Sequence, residues 1–106
     1  MSRPERIGAA RALEALAAEG VRGWSAQDDR DALKKTFRFR DFSAAFAWMT
    51  EIALVAERLD HHPEWFNVYD RVEVTLTTHD AQGVSERDVA LALSMERAAL
   101  GRLVRT

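Results

Sequence analysis

Two stretches of alternating apolar and polar residues, set among three stretches of helical spacing, predict an α+β fold: a four-stranded antiparallel sheet with three helices packed on one face, in the order α-β-β-α-β-β-α. A second observation limits the size. The chain has 106 residues, of which 47% are hydrophobic, enough for one core and hence one domain over residues 1–106. A third concerns continuity: no internal repeat, low-complexity segment or linker divides the chain.

Ser2 and Glu5 have capping-box spacing, and Ala9, Leu13, Leu16 and Ala17 follow at helical spacing up to Gly20. The first helix is therefore expected over about residues 3 to 19. Gly23, Trp24 and Ser25 open an extended segment. From Leu33 the parity is strict, with Leu33, Lys35, Phe37 and Phe39 on one side and Lys34, Thr36, Arg38 and Arg40 on the other. The cationic side reads as a solvated strand face rather than an anion site.

Asp41, Phe42 and Ser43 cap a second helix expected to run to about His61, because Pro63 disfavours helical geometry in the residue before it. Of the sixteen residues from Ala44 to Leu59, only Thr50, Glu51, Glu57 and Arg58 are polar, so this helix must be covered on more than one side. One face (Ala45, Trp48, Met49, Ile52, Val55, Ala56, Leu59) suits a sheet, while Phe46, Ala47, Ala53 and Leu54 call for another subunit.

Asn67 to His79 is the second extended region, in which Val72, Val74 and Leu76 alternate with Glu73, Thr75 and Thr77 before a turn at Asp80 to Gly83. By parity His79 falls with the polar side; it either looks away from the core or follows a bulge. Ser85 starts the third helix, with Asp88 at the capping-box position and Val84 and Val89 as its staple. Ala92, Met95, Ala99, Leu100 and Leu103 are its expected buried stripe.

The chain has no cysteine, which rules out disulfides, thiolate nucleophiles and sulfur metal sites. Its longest apolar run, Ala44 to Met49, falls far short of the roughly 20 residues that span a bilayer, and the N-terminus has no signal-peptide core. A net charge of −2 gives no general attraction to nucleic acid or anionic membrane. A cytoplasmic protein without nucleic-acid or membrane partners is expected.

Chemistry concentrates in Glu57-Arg-Leu-Asp60-His61-His62-Pro63-Glu64-Trp65, two adjacent imidazoles with acids and an indole where an apolar helix must end. Imidazole exchanges protons near neutral pH, so the segment reads as a proton-transfer site or a metal site. Glu57 and His61, four apart, share a helical face, where Glu57 could accept a proton from His61 or form a mere helix-end pair. His61 and His62 point about 100° apart on a helix, so one pocket holds both only if the helix end reshapes. Trp65 is either core filling or a pocket wall, Asp88 a cap or a partner to a histidine or ligand, and Asp60 solvated or functional. Arg87 is expected to face solvent.

His61-His-Pro-Glu-Trp-Phe-Asn-Val-Tyr69, then Val72 to His79, then Gly83-Val-Ser-Glu-Arg-Asp88-Val-Ala-Leu-Ala92 resemble the pterin-4a-carbinolamine dehydratase family, and the likeness reaches upstream through helix two to Trp24. Val84 stands where the family more often has leucine. The resemblance implies dehydration of 4a-hydroxytetrahydrobiopterin or a related pterin to the quinonoid dihydropterin, supporting tetrahydropterin recycling for aromatic amino acid hydroxylation. It implies no metal and no organic cofactor. His61 and His79 become the expected acid–base pair and His62 a ring-orienting residue, with Glu57, Asp60, Trp65, Thr78 and Asp88 binding or orienting. It also implies a homodimer or homotetramer joined through helix two, in agreement with its excess of apolar surface. Two alternatives compete. One is a two-histidine, one-carboxylate metal site at Glu57, His61 and His79; the other is a dimerisation or coactivator-type binding protein, a role that animal relatives also serve.

Overall fold

A computed structural model describes residues 3–104. In chain order the elements are helix α1 (Ala9–Ala18), strands β1 (Ser25–Ala26) and β2 (Leu33–Arg38), helix α2 (Phe42–Leu59), strands β3 (Glu64–Val68) and β4 (Arg71–Leu76), a 3-10 turn at His79–Ala81 and helix α3 (Glu86–Ala99). The sheet is antiparallel throughout in the spatial order β1-β2-β4-β3, so the expected fold class and element order hold. Among the described residues no helix is long and apolar enough to cross a membrane.

Alternation in β2 and β4 sends Leu33, Phe37, Val72, Val74 and Leu76 to the helix side, where each is buried, and leaves Lys34, Thr36, Arg38 and Glu73 exposed on the other. Against them α2 lays Ala45, Trp48 and Ile52, while α3 adds Leu91, Ala92 and Met95. Trp48 is central: its ring lies 4.8 Å from Phe37, 5.1 Å from Phe39 and 5.9 Å from Trp65, and its Nε1–H donates to the Met95 carbonyl at 2.9 Å. The indole thus fills the core without an orphaned donor.

Three expectations need correction. Helix α1 begins at Ala9 rather than near residue 3; Ser2 lies outside the described residues. Gly8 (φ 87°) breaks the run, and the Ile7 and Gly8 N–H groups donate instead to the Val84 carbonyl at 2.8 and 3.1 Å. That tertiary pairing outweighs a capping pattern worth about 1 kcal/mol. Leu100 is 78% exposed and Leu103 39%, because α3 ends at Ala99 and Gly101 (φ 79°) redirects the chain. The tail then runs beside β2, with Val104 N–H donating to the Arg38 carbonyl at 3.0 Å. Leu59 is exposed rather than packed on the sheet, as the last residue of α2. By contrast, the face of α2 for which the sequence calls for another subunit finds no cover within the protomer: Phe46 and Leu54 are 57% and 62% exposed, and Ala47 and Ala53 are exposed with them.

Candidate functional site

The end of α2 determines where the histidines go. Asp60 adopts the left-handed conformation (φ 50°, ψ 44°), and the His61 N–H folds back to the Ala56 carbonyl at 3.1 Å, a Schellman-type closure. His61 and His62 therefore leave helical geometry and are no longer constrained to point 100° apart. His61 turns inward and is buried, while His62 turns outward. Both line one open cleft of about 330 Å³ with Asp60, Thr77, Thr78, His79 and Arg87.

The same turn changes the partner of Glu57. Its Oε1 lies 2.6 Å from Nε2 of His62, not His61, because Asp60 interrupts the helix on which the Glu57–His61 pairing depended. His61 Nε2 lies 2.6 Å from Asp88 Oδ1 instead. Asp88 is fully buried, and its Oδ2 accepts from Thr78 Oγ1 at 2.7 Å and from the Ser85 N–H at 3.0 Å. One carboxylate thus closes the capping box of α3, ties it to the end of β4 and orients an imidazole. An ionised carboxylate can only accept, so opposite it His61 donates from Nε2, which leaves Nδ1 as its accepting nitrogen. His62 is held in the same sense by Glu57.

Thr78 continues the buried parity of β4, and His79, one residue on, opens the 3-10 turn and is exposed, the first of the two placements its parity allowed. Its Nε2 stands 3.9 Å from Glu64 Oε2. Glu64 is gripped by the Arg30 guanidinium, which donates from Nη1 to Oε2 at 3.2 Å and from Nη2 to Oε1. Those bonds hold the Glu64 carboxyl below the usual carboxylate range, against an opposing effect of burial. Beyond them, Asp31 braces the loop between β1 and β2. Burial pushes its carboxyl upward, but the N–H groups of Val84 and Ala9 and the Arg6 guanidinium more than offset this and hold it below the ordinary value.

Of the site residues expected from the sequence, His61, His62, His79, Asp60 and Thr78 line the cleft, with Glu57 and Asp88 behind them. Trp65 does not line it; half-buried on β3, it packs its ring on Trp48. Arg87, expected to face solvent, is half-buried at the cleft wall. Arg30 carried no sequence signal of its own: it sits in an unpatterned loop and meets Glu64, one of the acids of the histidine segment, only once the sheet forms. Glu57, His61 and His79 do not converge, and among the described residues no group of three histidines, aspartates or glutamates is placed to hold a metal ion. The cleft instead gathers three imidazoles, each facing a carboxylate, an arrangement suited to giving and taking protons.

The profile of the family described as Pterin 4 alpha carbinolamine dehydratase matches residues 5–98. A Sinorhizobium medicae protein provisionally named pterin-4-alpha-carbinolamine dehydratase is 52% identical over 95% of this chain and 94% of its own. A Sinorhizobium fredii protein of the same provisional name is 50% identical over the same shares. Among solved structures, a Brucella melitensis protein described as a transcriptional coactivator/pterin dehydratase superposes with a TM-score of 0.82 at 48% identity, covering 90% of this chain and 99% of that one. A pterin dehydratase-like protein described as a RuBisCO assembly factor in the alpha-carboxysome shares the fold, with a TM-score of 0.65 at 22% identity over 74% of this chain and 92% of that one.

Proposed function

This chain belongs to the pterin 4 alpha carbinolamine dehydratase family, and from that premise we propose that it dehydrates a 4a-hydroxytetrahydropterin to the quinonoid dihydropterin and water. The observation that carries this reading is the convergence of His61, His62 and His79 on one cleft, with carboxylates behind them. The C4a–O bond breaks as the departing hydroxyl takes a proton from an imidazolium and leaves as water. The adjacent ring nitrogen gives its proton to a neutral imidazole, and its electron pair forms the new carbon–nitrogen double bond. Acid and base each exchange one proton, and no electrons are gained or lost overall.

His61 and His79 serve as the acid–base pair, and His62 binds and orients the ring. Asp88 and Glu57 fix the ring nitrogens that His61 and His62 present, and Asp60 and Thr78 supply polar edges. Trp65 acts at one remove, through its packing on Trp48. Subunits associate through Phe46, Ala47, Ala53 and Leu54 of α2, the apolar face left open in the protomer.

The test follows dehydration of freshly generated 4a-hydroxytetrahydropterin by ultraviolet absorbance, for wild type and a His61→Ala, His79→Ala double variant. Acceleration by wild type and a loss of at least about 10³-fold in the variant are expected, since each acid–base group contributes about 10²–10⁴. No acceleration by folded wild type would overturn the reading.

A further inference from the structure

Three imidazoles meet the cleft and each faces a carboxylate, but the third pair differs from the other two, and its Glu64 lines the cleft itself. Asp88 and Glu57 each approach a histidine Nε2 at 2.6 Å, whereas Glu64 remains 3.9 Å from His79. Both Glu64 oxygens are taken by the Arg30 fork, a bidentate geometry that fixes a carboxylate in direction as well as charge.

The loop bearing Arg30 is itself pinned. Gln27 N–H donates to the Ala32 carbonyl at 2.9 Å, Thr77 Oγ1 donates to the Asp31 carbonyl at 2.9 Å, and the Asp31 side chain accepts from Ala9 and Val84 N–H at 2.9 and 2.8 Å. Arg30 also donates from Nε to Gln27 Oε1 at 3.2 Å. The guanidinium is therefore presented from a braced loop rather than a free tip.

We propose that Arg30 is a positioning residue: by occupying both oxygens of Glu64 it keeps that carboxylate from closing on His79, leaving this imidazole free to exchange its proton with substrate. The proposal rests on the dehydratase reading for its purpose, but not for its geometry. The other charged or titratable groups around His79 are Asp60 at the end of α2, His61 and His62 beyond it, Arg87 in the first turn of α3, Asp80 in its own turn and Asp31 across the loop. Among the described residues only Glu64 stands within ion-pairing distance of it.

The test compares Arg30→Gln, Glu64→Gln, the double variant and Arg30→Lys. Two readouts are taken: the pH at which the His79 C2 proton resonance is half-shifted, and the pH profile of kcat/KM for dehydration. Releasing Glu64 favours the His79 imidazolium, so in Arg30→Gln the half-shift pH rises by roughly 0.5–1 unit and the limb of kcat/KM that His79 governs moves the same way. In the Glu64→Gln background the same Arg30 substitution produces no rise. Lysine, a point charge that cannot fork both oxygens, gives an intermediate value.

No rise in Arg30→Gln overturns the proposal. So does an equal rise without Glu64, which would mean that the guanidinium acts on His79 directly. Because the resonance needs no turnover, an inactive wild type sinks the dehydratase reading alone. An active wild type whose His79 resonance ignores Arg30 sinks the clamp alone.

Discussion

Asp31 touches no substrate-facing group, but its carboxylate collects Ala9 N–H, Val84 N–H and Arg6. A hydrogen bond to a charged group contributes about 1.5–3 kcal/mol, so Asp31→Asn is expected to cost about 2 kcal/mol and lower Tm by roughly 10 °C in a thermal melt. The pH dependence follows from the depressed carboxyl. Its stabilisation is complete above the unfolded value of about 3.9 and is lost as pH falls through the lower folded value, so the wild-type advantage over Asp31→Asn shrinks in acid. Asp88→Asn combines both effects: one of the two oxygens becomes an NH2 donor, so either His61 or the Thr78 and Ser85 N–H pair loses its acceptor in a buried site. About 2 kcal/mol of stability and most of the activity should go together. Glu57, 77% exposed at its side chain, gives the contrast. Glu57→Gln should leave urea stability within about 0.5 kcal/mol and lower only kcat/KM.

At the scale of elements, helix α2 is the most legible part of the chain, except for the geometry at its end. Its excess of apolar residues announced a second covered side, and Phe46 and Leu54 do stand bare on the protomer. Its terminus was not legible, because Asp60 in a left-handed conformation is rare for a non-glycine residue and leaves no compositional mark. That single residue sends Glu57 to His62 and His61 to Asp88. Helix α1 shows the opposite failure, in which a good capping pattern lost to pairing of residues 7 and 8 with Val84. Local signals are weak priors wherever a strand-like partner competes for the same backbone groups. If α2 joins subunits, a Phe46→Glu, Leu54→Glu variant buries like charges on both sides of the contact and should sediment as a folded monomer with an unchanged circular dichroism spectrum. A variant sedimenting with the same mass as wild type would place the subunit contact elsewhere.

The whole molecule assembles the cleft from parts far apart in sequence: the end of α2, the start of β3, the end of β4, the first turn of α3 and the loop before β2. Sequence reasoning reached the histidines because they cluster along the chain, and it reached Asp88 through its cap position. It could not reach Arg30, which meets Glu64 from 34 residues away only when β1 and β2 close on β4. The Arg30–Glu64 contact therefore does not exist without the complete sheet, which makes a testable claim about cooperativity. The indoles of Trp48 and Trp65 lie in or against the core, so their fluorescence reports its dissolution. Activity in urea should fall with the same midpoint as that fluorescence, in a single transition with a slope of about 1–3 kcal/mol per molar. If association through α2 also contributes, the shared midpoint should rise with protein concentration, because binding to the folded form alone stabilises it by mass action. Activity lost well before fluorescence would instead mark the cleft as a region that opens locally, with the exposed Arg30–Glu64 contact the first to yield.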